Sequence, residues 1–131
     1  MQQESQRRIV VTGVGVVSPL AVDVDTFWSR LTAGESGVHQ LKTIDTSAYK
    51  VHIGGDIPDF DPTQWIDRRE VKRLDRFTQF AVHAGGQAIQ DSGLDFDKVE
   101  RSKCGVILGS GIGGLGEIEV QILKMLSKGP D

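Results

Sequence analysis

The sequence has a single cysteine, Cys104, in 131 residues. One thiol excludes an internal disulfide framework and a cysteine-built zinc cluster, and it fits a reducing, cytoplasmic setting. No apolar run approaches the roughly 20 residues that cross a bilayer. The opening MQQESQRR lacks the apolar segment of a secretory leader, so no membrane partner is expected. Neither sign of charge dominates: 15 basic residues against 18 acidic give −3, which argues against a nucleic-acid partner. His39, His52 and His83 are scattered without metal-ligating spacing, so each reads as a surface or packing residue and no metal site is expected. No G-x-S-x-G elbow occurs. Cys104 stands before an apolar run with no adjoining His or acid, and it reads as a buried structural cysteine. By its residues alone the chain holds a binding surface and no visible catalytic centre.

Glycine, by contrast, is abundant and concentrated. Five glycines lie between Gly109 and Gly116, directly after Val106-Ile107-Leu108 and directly before a stretch rich in Glu, Ile and Leu. A strand, a tight glycine turn and a helix in that order is the usual place for a ligand site in a layered α/β protein. Gly109-Ser110-Gly111-Ile112-Gly113-Gly114 also satisfies G-x-G-x-x-G. Dinucleotide binding needs, in addition, a second strand ending in an acid about 20 positions on. Asp131 stands near that distance but follows Gly129-Pro130 with no strand before it. Gly13-Val14-Gly15 is a poorer match, with Ser18 and Pro19 where the pattern needs glycine and helix. The Gly109–Gly116 stretch therefore reads either as a nucleotide cradle or as a turn that lets backbones pack.

The remaining periodicities describe an α/β chain. Ile9 to Val17 is a β-branched run without alternation, as in a strand buried on both faces of a parallel sheet. Asp23 is a good cap for a helix carrying Val24, Phe27, Trp28 and Leu31 on one face, and Gly34 closes it. Residues 35–64 are rich in turn formers, with a short strand at Val51 to Ile53. Arg68 to Ser92 reads as one helix with a narrow stripe of Phe77, Phe80, Ala81, Ala84 and Ala88. Gly85-Gly86 inside it costs about 1 kcal/mol each relative to alanine, which close approach of another backbone would offset. Ser92-Gly93 ends that helix, and Ile118, Ile122 and Met125 or Leu126 form the apolar face of a last one. Two buried-type strands are too few for such a sheet, so the chain reads as the first part of a larger α/β domain.

Arg68, Arg69, Lys72, Arg73 and Arg76 place five of the 15 basic residues within nine positions. On a continuous helix, Arg69, Lys72, Arg73 and Arg76 share an arc of about 100°. Such a patch suits a small acidic partner; the alternative is a solvated face tempered by Asp67, Glu70 and Asp75.

VVTGVGVVSPL at 10–20, LTAGESGV at 31–38, DTSAY at 45–49, RREVKRLDRF at 68–77, QDSGL at 90–94 and GSGIGGLG at 109–116 together closely resemble one family. It is the β-ketoacyl-acyl-carrier-protein synthase II family, condensing enzymes of the thiolase fold, and polyketide ketosynthases share much of the pattern. The resemblance implies a thiolase-like layered α/β/α fold of which this chain is the first part of the N-terminal half. Residues 1–7 would be a polar tail and 8–131 a partial ketoacyl-synthase domain. It further implies a cytoplasmic homodimer of fatty-acid elongation that performs a decarboxylative Claisen condensation on acyl-carrier-protein thioesters, without nicotinamide or metal cofactor. Arg69, Lys72 and Arg73 match the family's carrier-docking residues, and Gly111 and Ile112 match its acyl-pocket wall. The family's nucleophilic cysteine and catalytic histidines lie beyond residue 131, and Cys104 does not match them. Asp131 departs from the basic residue common at that position. The competing reading is an autonomous binding module, for a nucleotide at Gly109–Gly116 or for an acidic protein at the basic helix 68–76.

Overall fold

The computed structural model describes residues 8–129. Expectations for the tail at 1–7 and for Asp131 lie outside the described residues. Four helices and one two-stranded sheet follow in order: α1 (Val24–Thr32), β1 (His39–Gln40), β2 (Ile53–Gly54), α2 (Arg68–Val71), α3 (Arg76–Ser92) and α4 (Leu115–Lys128). Among the described residues no helix is long and apolar enough to cross a membrane.

Helix α1 begins where its cap predicts. The Asp23 carboxylate accepts from the Thr26 N–H at 2.8 Å, a bond worth about 1 kcal/mol in such caps. Gly34 follows the helix with φ +74°, a left-handed conformation that suits glycine. β1 and β2 pair antiparallel with His39 opposite Gly54, so the short strand expected at 51–53 is realised slightly later. Asp56 closes this hairpin: one carboxylate oxygen accepts from the N–H groups of Lys42 and Thr43, each at 2.8 Å.

The helix expected over Arg68–Ser92 is two helices. α2 stops after one turn, and Asp75, in extended conformation, begins α3. The break is held by Gln79, whose side-chain amide donates to the carbonyls of Val71 (3.1 Å) and Leu74 (2.8 Å). The Val71 carbonyl also accepts from the Leu74 N–H at 3.4 Å, whereas the Leu74 carbonyl would otherwise be left unpaired at this break, and Gln79 itself is buried. Asp67 and Asp75, both cap-forming residue types, mark the two starts. Gly93 ends α3 with φ +62°.

Neither of the two expected buried strands is paired in a sheet among the described residues. Residues 13–16 instead lie along α3. The Val14 N–H donates to Asp91 (2.9 Å), the Val16 N–H donates to Gln87 (3.1 Å), and the same Gln87 amide donates to the Val22 carbonyl. Two residues of extended chain advance about 6.6 Å and four of helix about 6 Å, so Gly13 and Gly15 fall on Ala88 and Ala84 in step. A Cβ on either glycine would lie within 2.2 Å of the corresponding alanine carbonyl oxygen. The close backbone approach expected at Gly85-Gly86 is thus found at Gly13 and Gly15. Gly85 has open space around it, and Gly86 makes room for the Trp65 ring, which would sit 2.4 Å from a Cβ there.

The small core lies between α3 and the 58–66 segment. Phe60 and Ile66 are buried, and Phe60 meets Phe80 edge-on with centroids 4.9 Å apart. His83, 3% exposed, faces Phe60 and holds the Val22 carbonyl at 3.1 Å. Val106, Ile107 and Leu108 are largely exposed, as is most of the apolar surface of α4.

Candidate functional site

The helix break rearranges the basic cluster. Arg69 lies in α2, Lys72 and Arg73 lie in the α2–α3 junction, and all three are exposed. Arg73 reaches Glu70 at 3.4 Å across solvent, a pair that contributes about 1 kcal/mol at most. Arg76 does not share their face. Its half-buried guanidinium lies 5.3 Å from the Phe60 ring centroid and 5.2 Å from that of Phe80, and it donates to the Ile57 carbonyl. The four-residue arc expected on one helix is therefore an exposed trio plus an inward arginine. The aromatic neighbours at 60 and 80 and the cap at Asp75 were the available signals.

The glycine stretch runs over the start of α3. The Ser110 hydroxyl accepts from the Gly113 N–H at 2.9 Å, and Gly113 takes φ +80°. Its Cβ position is 3.6 Å from the Phe77 ring, and that of Gly114 is 1.9 Å from an Asp75 carboxylate oxygen. Gly114 then caps α4. Gly111 has open space around it and Ile112 is 70% exposed. The structure thus brings the basic junction and the glycine loop together at Asp75 and Phe77, while leaving Gly111 and Ile112 at the surface. Asp75, expected only to temper the basic face, is a helix start, and its place before an aromatic-rich helix is a recognisable start signal.

Two concavities flank this region. One, of about 710 Å³, is bordered by Ser18, Thr43, Asp56, Arg76, Phe80 and Gly116. The other, of about 630 Å³, is apolar and runs along α3 between Trp65, Val82, Gly86, Val106 and Leu108. Asp56 sits at the rim of the first with its imidazole neighbour His39 at 3.3 Å. Burial pushes its carboxyl up, but the N–H groups of Lys42 and Thr43, with His39, outweigh this and hold it below the usual aspartate value.

Cys104 is exposed, contrary to the expectation of a buried thiol; it follows the one-turn segment Arg101–Lys103, whose other side chains also face solvent. Its thiol lies 3.7 Å from the Glu100 carbonyl. The three histidines face Asp56, Thr46 and Val22 respectively, so no Cys–His pair forms among the described residues. The arrangement can bind through exposed cations and an apolar groove. Among the described residues it holds no nucleophile–base pair.

Residues 6–128 match the family described as beta-ketoacyl synthase, N-terminal domain. The chain is 39% identical over 124 residues to a 3-oxoacyl-[acyl-carrier-protein] synthase 2 of Staphylococcus aureus, covering 95% of this chain and 30% of that protein. It is 40% identical over 130 residues to the protein of the same name from Synechocystis, covering 99% and 31%. Among solved structures it superposes on an ishigamide ketosynthase/chain length factor with a TM-score of 0.80 at 30% identity, over 95% of this chain and 31% of that one. A type II polyketide ketosynthase in complex with its acyl-carrier protein gives 0.70 at 28% identity, over 92% and 32%. These neighbours carry the layered α/β fold expected from the sequence, of which the chain spans about 30% of the length of the curated relatives it matches. The match extends through both the basic segment and the glycine loop, which displaces the autonomous-module reading: the chain belongs to the β-ketoacyl synthase family, in its N-terminal domain.

Proposed function

We propose that this chain is part of a 3-oxoacyl-[acyl-carrier-protein] synthase, with residues 8–131 contributing to its N-terminal domain. The reaction is the decarboxylative Claisen condensation of an acyl thioester with malonyl-acyl-carrier protein, in fatty-acid elongation. Covalent catalysis of this kind splits one hard bond formation into an acyl transfer and a carbanion attack. Arg69, Lys72 and Arg73 dock the acidic carrier, Gly111 and Ile112 border the acyl chain, and the enzyme works as a cytoplasmic homodimer. The exposure of the three cations on α2 and the junction that follows it carries the docking reading, since nothing neutralises Arg69 or Lys72 among the described ion pairs. The ketosynthase neighbour solved with its carrier protein supports it. A fatty-acid role is favoured over a polyketide one because the synthase 2 relatives are 39–40% identical and the two ketosynthase structures 28–30%.

A chimera tests the proposal. The residues of this chain replace the matching 124-residue segment of the Staphylococcus aureus synthase. The chimera should condense acyl and malonyl carrier thioesters. A folded, dimeric chimera without condensation would overturn the proposed activity.

A further inference from the structure

Gln79 is a primary amide in a place that would suit a hydrocarbon. It lies in the first turn of α3 and is 8% exposed. Burying an amide is costly unless its N–H groups find acceptors. Both find them on one stretch of chain: the side-chain nitrogen donates to the Val71 carbonyl at 3.1 Å and to the Leu74 carbonyl at 2.8 Å.

Lys72 and Arg73 lie between those two carbonyls, and both are exposed. Their backbone has few other ties. The Arg73 N–H donates to the Glu70 carbonyl at 2.8 Å and the Leu74 N–H to that of Val71 at 3.4 Å, both local to α2 and its end. Among the described residues, no other hydrogen bond joins 68–74 to α3. A helix of one turn does not hold itself in water, so the brace from α3 fixes the backbone from which Lys72 and Arg73 project.

From this geometry we infer that Gln79 is a positioning residue for the carrier: it holds the 71–74 backbone in the conformation from which Lys72 and Arg73 meet an acidic surface. The inference rests on the docking role proposed above and adds to it a buried residue that touches no carrier atom. A braced backbone loses less freedom on binding, which lengthens the life of the complex, whereas long-range steering depends on the charges alone.

The test compares the full chain with its Gln79→Met variant, which keeps the approximate volume of the side chain and removes its donors. Binding to an acidic acyl carrier protein is followed by stopped flow at low salt, and backbone order by nuclear magnetic relaxation. The variant should associate within about twofold of the unmodified rate and dissociate roughly three- to tenfold faster. Amides of 71–74 should lose order while those of α3 keep theirs. A merely structural role would lower the fraction of chain able to bind and leave the dissociation rate alone. Equal dissociation rates, or faster dissociation with unchanged order at 71–74, would overturn the inference and leave docking standing. Absence of carrier binding by the unmodified chain would overturn the docking reading and this inference with it. Should the variant not fold, the unmodified chain decides: the Gln79 side-chain amide protons should exchange more slowly than those of a free amide, and more slowly again with carrier bound. Exchange at the free rate, or exchange that the bound carrier leaves unchanged, would overturn the inference.

Discussion

Gly15 and Ala84 meet so closely that a Cβ on the glycine would lie 2.0 Å from the alanine carbonyl oxygen. Backbone cannot move aside as a side chain can, so Gly15→Ala should destabilise the chain by about 3 kcal/mol, the upper end for overpacking. Gly85→Ala, in open space within α3, should stabilise by about 0.5–1 kcal/mol through helix propensity. Urea unfolding midpoints check both. Equal midpoints for the two variants would contradict this packing.

Gly86 is the other crowded glycine, but its neighbour is the Trp65 ring. Gly86→Ala should push the indole outward, costing about 1–3 kcal/mol and red-shifting its fluorescence. Trp28, already 63% exposed, provides a background that the substitution leaves unchanged; Trp28→Phe isolates the Trp65 signal.

These two contacts also show what the sequence could reveal. Asp23, Gly34 and Gly93 announce helix limits through chemistry local to the chain, and the structure follows them. The break before Arg76 was equally local, written in Asp75, but a continuous apolar stripe from Phe77 onward obscured it. Gly13 and Gly15 could not be placed, because what they face is α3, some 70 residues away. Spacing of two in extended chain matches spacing of four in helix only once the partner is known. Cys104 and Val106 to Leu108 looked like interior residues because composition reports hydrophobicity and says nothing of which neighbours are present to cover it.

Asp56 makes the hairpin sensitive to acid. Its folded carboxyl titrates below the unfolded value, about 3.9 for a free aspartate. The stabilisation is therefore complete above about pH 3.9 and is lost as pH falls through the lower, folded value. Protection of the Lys42 and Thr43 amides, taken relative to their intrinsic exchange rates, should fall in that acid window ahead of protection in α3. Asp56→Asn should remove this acid-linked loss of protection at those two amides. Unchanged acid sensitivity in the variant would assign it to another group.

Cys104 should react stoichiometrically with a maleimide in the folded chain, because its thiol is exposed. It should not accept an acyl group from acyl carrier protein, since no histidine is paired with it among the described residues. Mass spectrometry after incubation with acyl carrier protein distinguishes the two outcomes. An acyl adduct on Cys104 would show a catalytic centre where the geometry has none.

The central claim is that the exposed trio Arg69, Lys72 and Arg73 recognises an acidic carrier protein. Its most direct measurement is the affinity of the carrier for the unmodified chain and for the triple charge reversal to glutamate, at low and at physiological salt. Surface charges contribute about 0.5–1 kcal/mol each, so the reversal should weaken binding by roughly 10- to 100-fold at low salt. The gap should narrow as salt screens the pairs, and helical content should stay unchanged. Equal affinity of the two proteins at low salt would contradict the account.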